Sequence, residues 1–232
     1  MLHYFIWNGT DSRTKHIRVN NRVPIVRPEE RVEHITIPGR AGELTQVEGE
    51  YIFNSYIQTV NLEVLGAAYV PAAEVWLTGG GEVTFDTQAT LKQKARIINA
   101  VTFEKVSRNL DIWKAEVQFY CEPFKSLIDE EDIEVTESGD TLTNPGTLPA
   151  FPEIQIEGSG AVSISINGVT LIIPELTSGW TADCANKWIC QNGVPQMNAW
   201  QGEFPEIPVG ESTILYTGNV TAITITPHWR FL

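Results

Sequence analysis

Alternation of apolar and polar side chains is the strongest pattern in the chain, and it predicts β-strands. Over residues 113–121 the odd positions are apolar and the even positions carry Lys, Glu, Gln or Tyr, which is typical of a strand with one buried face. Residues 151–160 begin a second alternating stretch. Residues 162–173 place Asn167 and Gly168 between two β-branched runs, and this dipeptide favours the type I′ turn of a hairpin.

The C-terminal residues predict a loop followed by a final strand. Residues 202–210 are rich in glycine and proline, which favours the loop. From Ile223 to Phe231 every second residue is apolar and the residues between them are polar, so one face is expected to be buried and the other hydrated. Because an exposed, unpaired apolar edge promotes aggregation, we expect this strand to be paired and the terminus to be docked.

Helix signals are few, and composition favours strands. Residues 71–77 predict two helical turns before Gly79, and residues 87–95 predict another short helix. Charged residues make up 19% of the chain and apolar residues 42%, and threonine, valine, isoleucine, glycine and aromatic residues are prominent. The chain is therefore expected to be all-β, and its 232 residues suffice for one large or two ordinary domains.

An acidic stretch in the middle of the chain predicts a boundary between two domains. Residues 129–137 carry six carboxylates, and Pro145 and Gly146 follow. Because like charges repel and Pro-Gly breaks strand pairing, this stretch is expected to be a solvated connector, with Ile133 and Val135 able to form a short strand. A calcium site is the alternative, but the loop glycine and the terminal glutamate of a helix-loop-helix site are missing.

Charge and cysteine content restrict the partners and the compartment. The net charge of −13 argues against binding to nucleic acid or to anionic membranes, since both require clustered lysine and arginine. Cys121, Cys184 and Cys190 are an odd number of cysteines without a secretory signal, so we expect reduced thiols in a cytosolic compartment. No apolar stretch is long enough to predict a membrane span.

No catalytic constellation is recognisable, and the sequence predicts a protein that is not an enzyme. The four histidines occur singly, and neither a paired-histidine zinc motif nor a Gly-x-Ser-x-Gly elbow is present. Residues 79–81 are three glycines without a following phosphate-loop lysine, and Cys184 with Cys190 makes at most half a zinc site. We therefore expect no catalytic residue, no metal and no cofactor.

Motifs along most of the chain carry a resemblance to a known protein family. In chain order they are Phe5–Ser12, Ile35–Leu44 with its Pro-Gly-Arg-x-Gly turn, Val75–Asp86, Val117–Phe124, and the C-terminal stretches Gly202–Gly210 and Ile223–Leu232. In this order they resemble the distal tail protein (Dit) family of bacteriophages with long, non-contractile tails. Residues 174–201 match no motif of that family.

The resemblance implies an all-β fold in two domains. An N-terminal belt domain, a β-sandwich or split barrel, would span residues 1–135. The connector expected from the acidic and Pro-Gly residues would lie between the two domains, at residues 136–149. A C-terminal β-sandwich, galectin-like or similar to carbohydrate-binding modules, would span residues 150–232. The resemblance further implies a ring interface that involves Trp7, Pro38, Gly39, Arg40, Phe119 and Phe124.

The function implied by the resemblance is structural. Six copies would form a ring that joins the tail tube to the tail-tip hub and acts as the baseplate core. Expected partners are further copies of the chain, the major tail tube protein, the hub, fibre or tail-associated lysin protein, and a receptor-binding protein, with no stable nucleic-acid binding and no membrane insertion. The expected location is the tail tip of the virion, after assembly in the cytoplasm of the bacterial host.

Three tryptophans outside the motifs leave an alternative open. Trp180, Trp188 and Trp200 lie in the unmatched segment, and aromatic rings on a β-sandwich can stack on sugars. The alternative function is therefore a carbohydrate-binding module for host-surface glycans. Core or interface roles are more usual for tryptophan, because its apolar surface is so large. A glycoside hydrolase is a further alternative that would need a pair of carboxylates in a cleft.

Overall fold

The chain forms two compact units in a computed structural model that describes residues 3–47, 49–196 and 198–232. The first unit comprises the described residues up to Ile128 together with Leu232, and the second comprises Asp129–Phe231. Both units are built almost entirely from strands, which confirms the predicted all-β class. Within the described residues, no helix has the length and the apolar composition needed to cross a membrane.

Most strands of the first unit belong to one sheet. Its described elements are β1 (Phe5–Trp7), β2 (Thr10–Asp11), β3 (Ile17–Val19), β4 (Val32–Thr36), β5 (Glu43–Val47), β6 (Tyr56–Leu65), α1 (Val70–Trp76), β7 (Gly80–Phe85), β8 (Leu91–Ile97), β9 (Glu104–Ser107) and β10 (Leu110–Leu127). The sheet has the order β2-β1-β7-β8-β10-β6-β3, with β9 paired to β10. β4 and β5 pair only with each other among the described strands.

Aromatic side chains centre the core of the first unit. Phe5, Trp7 and Phe119 are fully buried, and the ring of Phe119 lies edge-on to both others at centroid distances of 5.5 and 5.3 Å. Trp76, at the end of α1, stacks on Phe5 at 5.5 Å. Such offset and edge-on pairs add to the stabilisation from area burial alone. The short helix α1 therefore packs on the face of the sheet that carries Phe5.

One of the two predicted helices is confirmed and the other is wrong. Residues 71–77 correspond to α1. Residues 87–95 instead contain a 3₁₀ turn and most of β8. Gln93 and Ala95 face the core while Lys94 and Arg96 face solvent, because pairing with β7 and β10 imposes a period of two. Tertiary pairing thus overrides a weak local helix preference.

The second unit is built on two long, bent strands. Its described strands are β11 (Ile133–Val135), β12 (Thr141–Asn144), β13 (Glu153–Ile166), β14 (Val169–Leu176), β15 (Trp180–Asp183), β16 (Trp188–Gln191), β17 (Val194–Pro195), β18 (Gln201–Gly202) and β19 (Gly210–Thr226). β13 and β19 pair along nearly their whole lengths, with register shifts in the middle. One half of this pair continues into β15, β16 and β17, and the other into β14 and β18.

The predicted Asn-Gly hairpin is confirmed. Ile166 pairs with Val169, and the two residues between them have positive φ angles, 48° at Asn167 and 90° at Gly168. Two positive φ angles define the type I′ turn, whose twist matches that of the flanking strands. The side chain of Asn167 also binds β19, since its Oδ1 accepts from the Thr213 amide at 3.0 Å.

The predicted C-terminal strand is correct in its first half and wrong in its second. Ile223 and Ile225 are buried, and their strand pairs with both β13 and β11, as the pairing argument requires. Regular strand structure ends at Thr226, however. Pro227 has no amide hydrogen to donate, and His228 adopts a left-handed φ of 54°. Trp229 is still buried beyond the break.

The acidic stretch lies inside the second unit. Residues 133–135 form β11, which pairs with Ile223–Ile225, and residues 141–144 form β12, which pairs with Gly210–Thr213. Asn144 is buried and its amide donates to the carbonyls of Leu148 and Ile207 at 3.0 and 2.9 Å. The division between the units therefore falls at Ile128, before the carboxylates.

Candidate functional site

The residues expected at a ring interface occupy three different environments. Trp7 and Phe119 are core residues of the first unit with no exposed surface. Phe124 is half-buried and lies edge-on to Phe53 at 6.0 Å. Pro38, Gly39 and Arg40 are exposed in the loop between β4 and β5. Of this set, the loop residues lie at the surface, while Trp7 and Phe119 support the sheet from within.

The β4–β5 hairpin, residues 32–47, is an unusually exposed element that we call the hairpin arm. Ile35 pairs with Leu44, and Val32 pairs with Val47. Leu44 is 42% and Val47 53% exposed, although both are apolar. An isolated two-stranded hairpin is marginally stable in water and gains stability from packing against another surface. The hairpin arm is therefore an exposed apolar surface that would be stabilised by packing against another surface.

A second apolar patch lies on the outer face of the large sheet, which we call the open sheet face. Tyr120 on β10 lies directly opposite Ile57 on β6 and Arg96 on β8. Tyr120, Ile57 and the nearby Ile98 are all exposed. At one end, a pocket of about 620 Å³ is lined by Gly80, Lys94, Arg96 and Tyr120, among others. Sequence alternation predicted the outward orientation of Tyr120, whereas the exposed positions of Ile57 and Ile98 were not predicted.

The three candidate tryptophans do not form one stacking platform. Trp180 is 5% exposed, and its indole N–H donates to Thr177 Oγ1 at 3.0 Å. Trp188 is 43% exposed at the β15–β16 turn, where its N–H donates to Asp183 at 2.9 Å. Because Trp188 pairs with Asp183, three positions from Trp180 on β15, the two indoles lie on opposite faces. Trp200 packs instead on Phe204, at 4.6 Å.

Buried titratable groups occur in the core of the first unit without a catalytic arrangement. Burial raises the pKa of the Cys121 thiol to about 12 and lowers the pKa of the Lys125 ammonium. Burial also raises the pKa of Tyr56 to about 12. A thiol with a raised pKa is a poor nucleophile. Among the described residues, no group of three or more His, Cys, Asp or Glu side chains could hold a metal ion.

Charge is divided very unequally between the two units. The stretch from Asp129 to the C-terminus contains fourteen carboxylates and only two cations, Lys187 and Arg230, which gives −12 of the net −13. The preceding residues are almost neutral. Some carboxylates of the second unit stabilise local structure, since hydrogen bonds from the amides of Glu137 and Thr136 lower the pKa of Asp140.

Comparison with known proteins gives a match of the fold but no match of the sequence. No protein-family model matches the chain, and no curated protein sequence matches it significantly. The crystal structure of SPP1 Dit (gp 19.1), presented as a paradigm of the hub adsorption apparatus in phages infecting Gram-positive bacteria, is similar with a TM-score of 0.76. The match covers 100% of both chains at 18% sequence identity. The resemblance to Dit proteins is thereby confirmed for the fold, over the whole chain.

Proposed function

We propose that this chain is a distal tail protein of a phage with a long, non-contractile tail, and that six copies form a ring at the tail tip. The observation that carries the proposal is the likeness to SPP1 Dit along both complete chains. The likeness extends over two units of different architecture. It therefore restricts the possible functions more strongly than a match to a single common β-sandwich would. The role is architectural: the ring connects the tail tube to the hub.

The ring contact is a hairpin arm packed on the open sheet face of the next copy. Ile35 and Leu44 on the arm and Ile57 and Tyr120 on the face are apolar surfaces of one unit. Because the two surfaces differ, each contact leaves one free arm and one free face, and such head-to-tail contacts end only when a ring closes. Pro38–Arg40 at the tip of the arm lie within this contact.

The proposed neighbours follow from the position of such a ring. One side binds the major tail tube protein and the other binds the hub, fibre or tail-associated lysin protein, with a receptor-binding protein at the periphery. The ring assembles in the host cytoplasm and is carried on the virion tail tip. No catalytic step belongs to this function.

A mass measurement on purified protein with two surface variants tests the ring. Leu44→Asp places a charge on the hairpin arm, and Tyr120→Asp places one on the open sheet face. Both side chains are exposed, so each copy should keep the β-sheet signal of the unmodified chain in circular dichroism while six-copy particles disappear. Val209→Asp, at an exposed valine of the second unit, is the matched control and should still form six-copy particles.

Mixing the two variants distinguishes this contact from others. A Leu44→Asp copy keeps an intact face and a Tyr120→Asp copy keeps an intact arm, so the mixture should give dimers with one functional contact and no rings. Rings in either variant alone would show that the contact lies elsewhere. A strictly monomeric unmodified chain at high micromolar concentration would contradict the ring itself.

A further inference from the structure

The second unit contains a pocket that ring formation does not use. Its volume is about 410 Å³, and it lies beside the β15–β16 hairpin at the paired residues Trp180 and Gln191. Thr177, Glu175 and Asn198 contribute to its lining. All of these residues fall in the segment that matched no family motif, so the family resemblance does not predict this pocket.

Hydrogen bonds orient the polar groups on one side of this pocket. Thr177 Oγ1 accepts from the indole N–H of Trp180 at 3.0 Å and from Gln191 Nε2 at 2.5 Å. An oxygen that already accepts two hydrogen bonds has its own proton left to donate. The amide of Gln191 is held through its nitrogen, which leaves its Oε1 as an acceptor. The pocket thus presents a fixed donor beside a fixed acceptor.

The other side adds free polar groups and an apolar surface. Glu175 and Asn198 are exposed, and their side chains have no hydrogen-bond partner in the part of the chain that the structure describes. Gln196 also lines the pocket, and Pro174 and Ala199 add apolar surface to the lining. Hydrogen-bond donors and acceptors beside a small apolar surface match the hydroxyl groups and the C–H faces of a sugar ring.

Charge decides between classes of polar ligand. The unit around the pocket carries fourteen carboxylates and two cations, and Glu175 itself lines the pocket. Anionic ligands are therefore repelled. We infer that this pocket binds a neutral saccharide unit, through Glu175, Thr177, Gln191 and Asn198. Of the three tryptophans, only Trp180 lines the pocket, since Trp188 lies on the opposite face of the hairpin and Trp200 packs on Phe204.

Saturation-transfer NMR on the intact chain tests the inference with a panel of neutral hexoses and N-acetylhexosamines, together with glucuronic acid as the anionic probe. Transfer to at least one neutral sugar is expected, and none to the acid. Thr177→Val removes the oriented hydroxyl and should weaken binding at least tenfold. Asn198→Gly should weaken it similarly while retaining the left-handed backbone at φ 62°, so it serves if Thr177→Val disturbs the fold.

Trp188→Ala is the matched control and should bind as the unmodified chain does. Loss of binding in Trp188→Ala with retention in both pocket variants would move the site to the exposed tryptophan and overturn the inference. Absence of transfer from every neutral sugar, or preference for the acid, would overturn it as well. The particle mass is measured in parallel, because the pocket variants should leave the six-copy ring intact, and failure of one proposal therefore leaves the other standing.

Discussion

Lys125 places an ammonium group inside the core of the first unit. Its side chain is 5% exposed, and its Nζ has no hydrogen-bond partner in the described residues. Burial lowers its pKa, while the nearby thiol of Cys121 acts in the opposite direction. An unsatisfied buried polar group costs about 1–3 kcal/mol. The lysine lies where the register of β10 against β8 shifts. Its burial therefore coincides with an irregularity of the sheet.

Replacing this lysine by an apolar side chain of similar length should stabilise the first unit. We expect Lys125→Met to raise the free energy of unfolding by about 1–3 kcal/mol at neutral pH, as measured by denaturant titration. Lys94→Met, at an exposed position of β8, is the control and should stay within about 0.5 kcal/mol. Equal or destabilising effects of Lys125→Met would indicate that the amine has a partner.

Lys125→Met should also change how the free energy of unfolding depends on pH. The pKa of Lys125 is lowered from 10.5 in the folded chain, so below pH 10.5 and above the folded pKa the unfolded chain binds more protons. Stability due to this group therefore rises with pH across that window. Lys125→Met should remove this increment, which a comparison of unfolding curves at several alkaline pH values will measure.

The bend in the β13–β19 pair gives the second unit its two sheet halves. The register shifts near Gly158 and again between Ser159 and Ser163. Gly218, opposite this region, has a φ of 101°, and a Cβ there would lie 2.3 Å from the carbonyl oxygen of Ala161. Neither the backbone conformation nor the close approach is compatible with a side chain. The bend thus depends on glycine at a position where two backbones nearly touch.

Gly218→Ala should therefore destabilise the second unit by about 2–4 kcal/mol, from backbone strain and displacement of the neighbouring strand. Gly160→Ala provides the comparison in the same bend, because Gly160 also has a positive φ of 77° but no atom within 4 Å of its added Cβ. It should cost only about 1 kcal/mol. Thermal melts of both variants measure the difference, and equal losses would mean that the contact with Ala161 relaxes freely.

The uneven division of charge has a consequence for the proposed six-copy ring. In the proposed ring, almost neutral first units can approach one another closely, whereas second units with −12 each repel one another. Repulsion between exposed charges declines when the Debye length falls from about 20–30 Å to about 8 Å. A ring built through first units is thus opposed at low ionic strength by the second units it carries.

We expect ring formation to strengthen between about 0.02 M and about 0.15 M salt, measured as the six-copy fraction by mass photometry. Neutralising exposed carboxylates of β11 and its flanks should reduce this salt dependence: Glu131→Gln, Glu134→Gln and Glu137→Gln. The control neutralises the same number of exposed carboxylates in the first unit and should leave the salt dependence unchanged: Glu29→Gln, Glu50→Gln and Glu74→Gln. Rings that dissociate as salt is added would contradict the repulsion.

Local patterns in the sequence were sufficient for the all-β class, the strand around residues 113–121, the short helix α1 and the Asn167-Gly168 hairpin. In each, a neighbouring residue supplies the signal: a period of two, a helix stop, or a dipeptide suited to positive φ angles. The motif order also indicated the Dit fold. The strand, the helix and the hairpin depend on interactions within a few residues, and the folded chain retains them.

Pairing between strands that are distant in the sequence determined the features that local patterns did not predict. It converted residues 87–95 into β8, ended β19 at Thr226 and included the acidic stretch in the second unit. The pocket of the second unit brings Thr177, Gln191 and Asn198 together across two turns, and an exposed arm differs from a buried strand only in what packs on it. Composition alone could not separate buried Trp180 from exposed Trp188, because burial depends on neighbours that are distant in sequence and are assigned only when the strands pair.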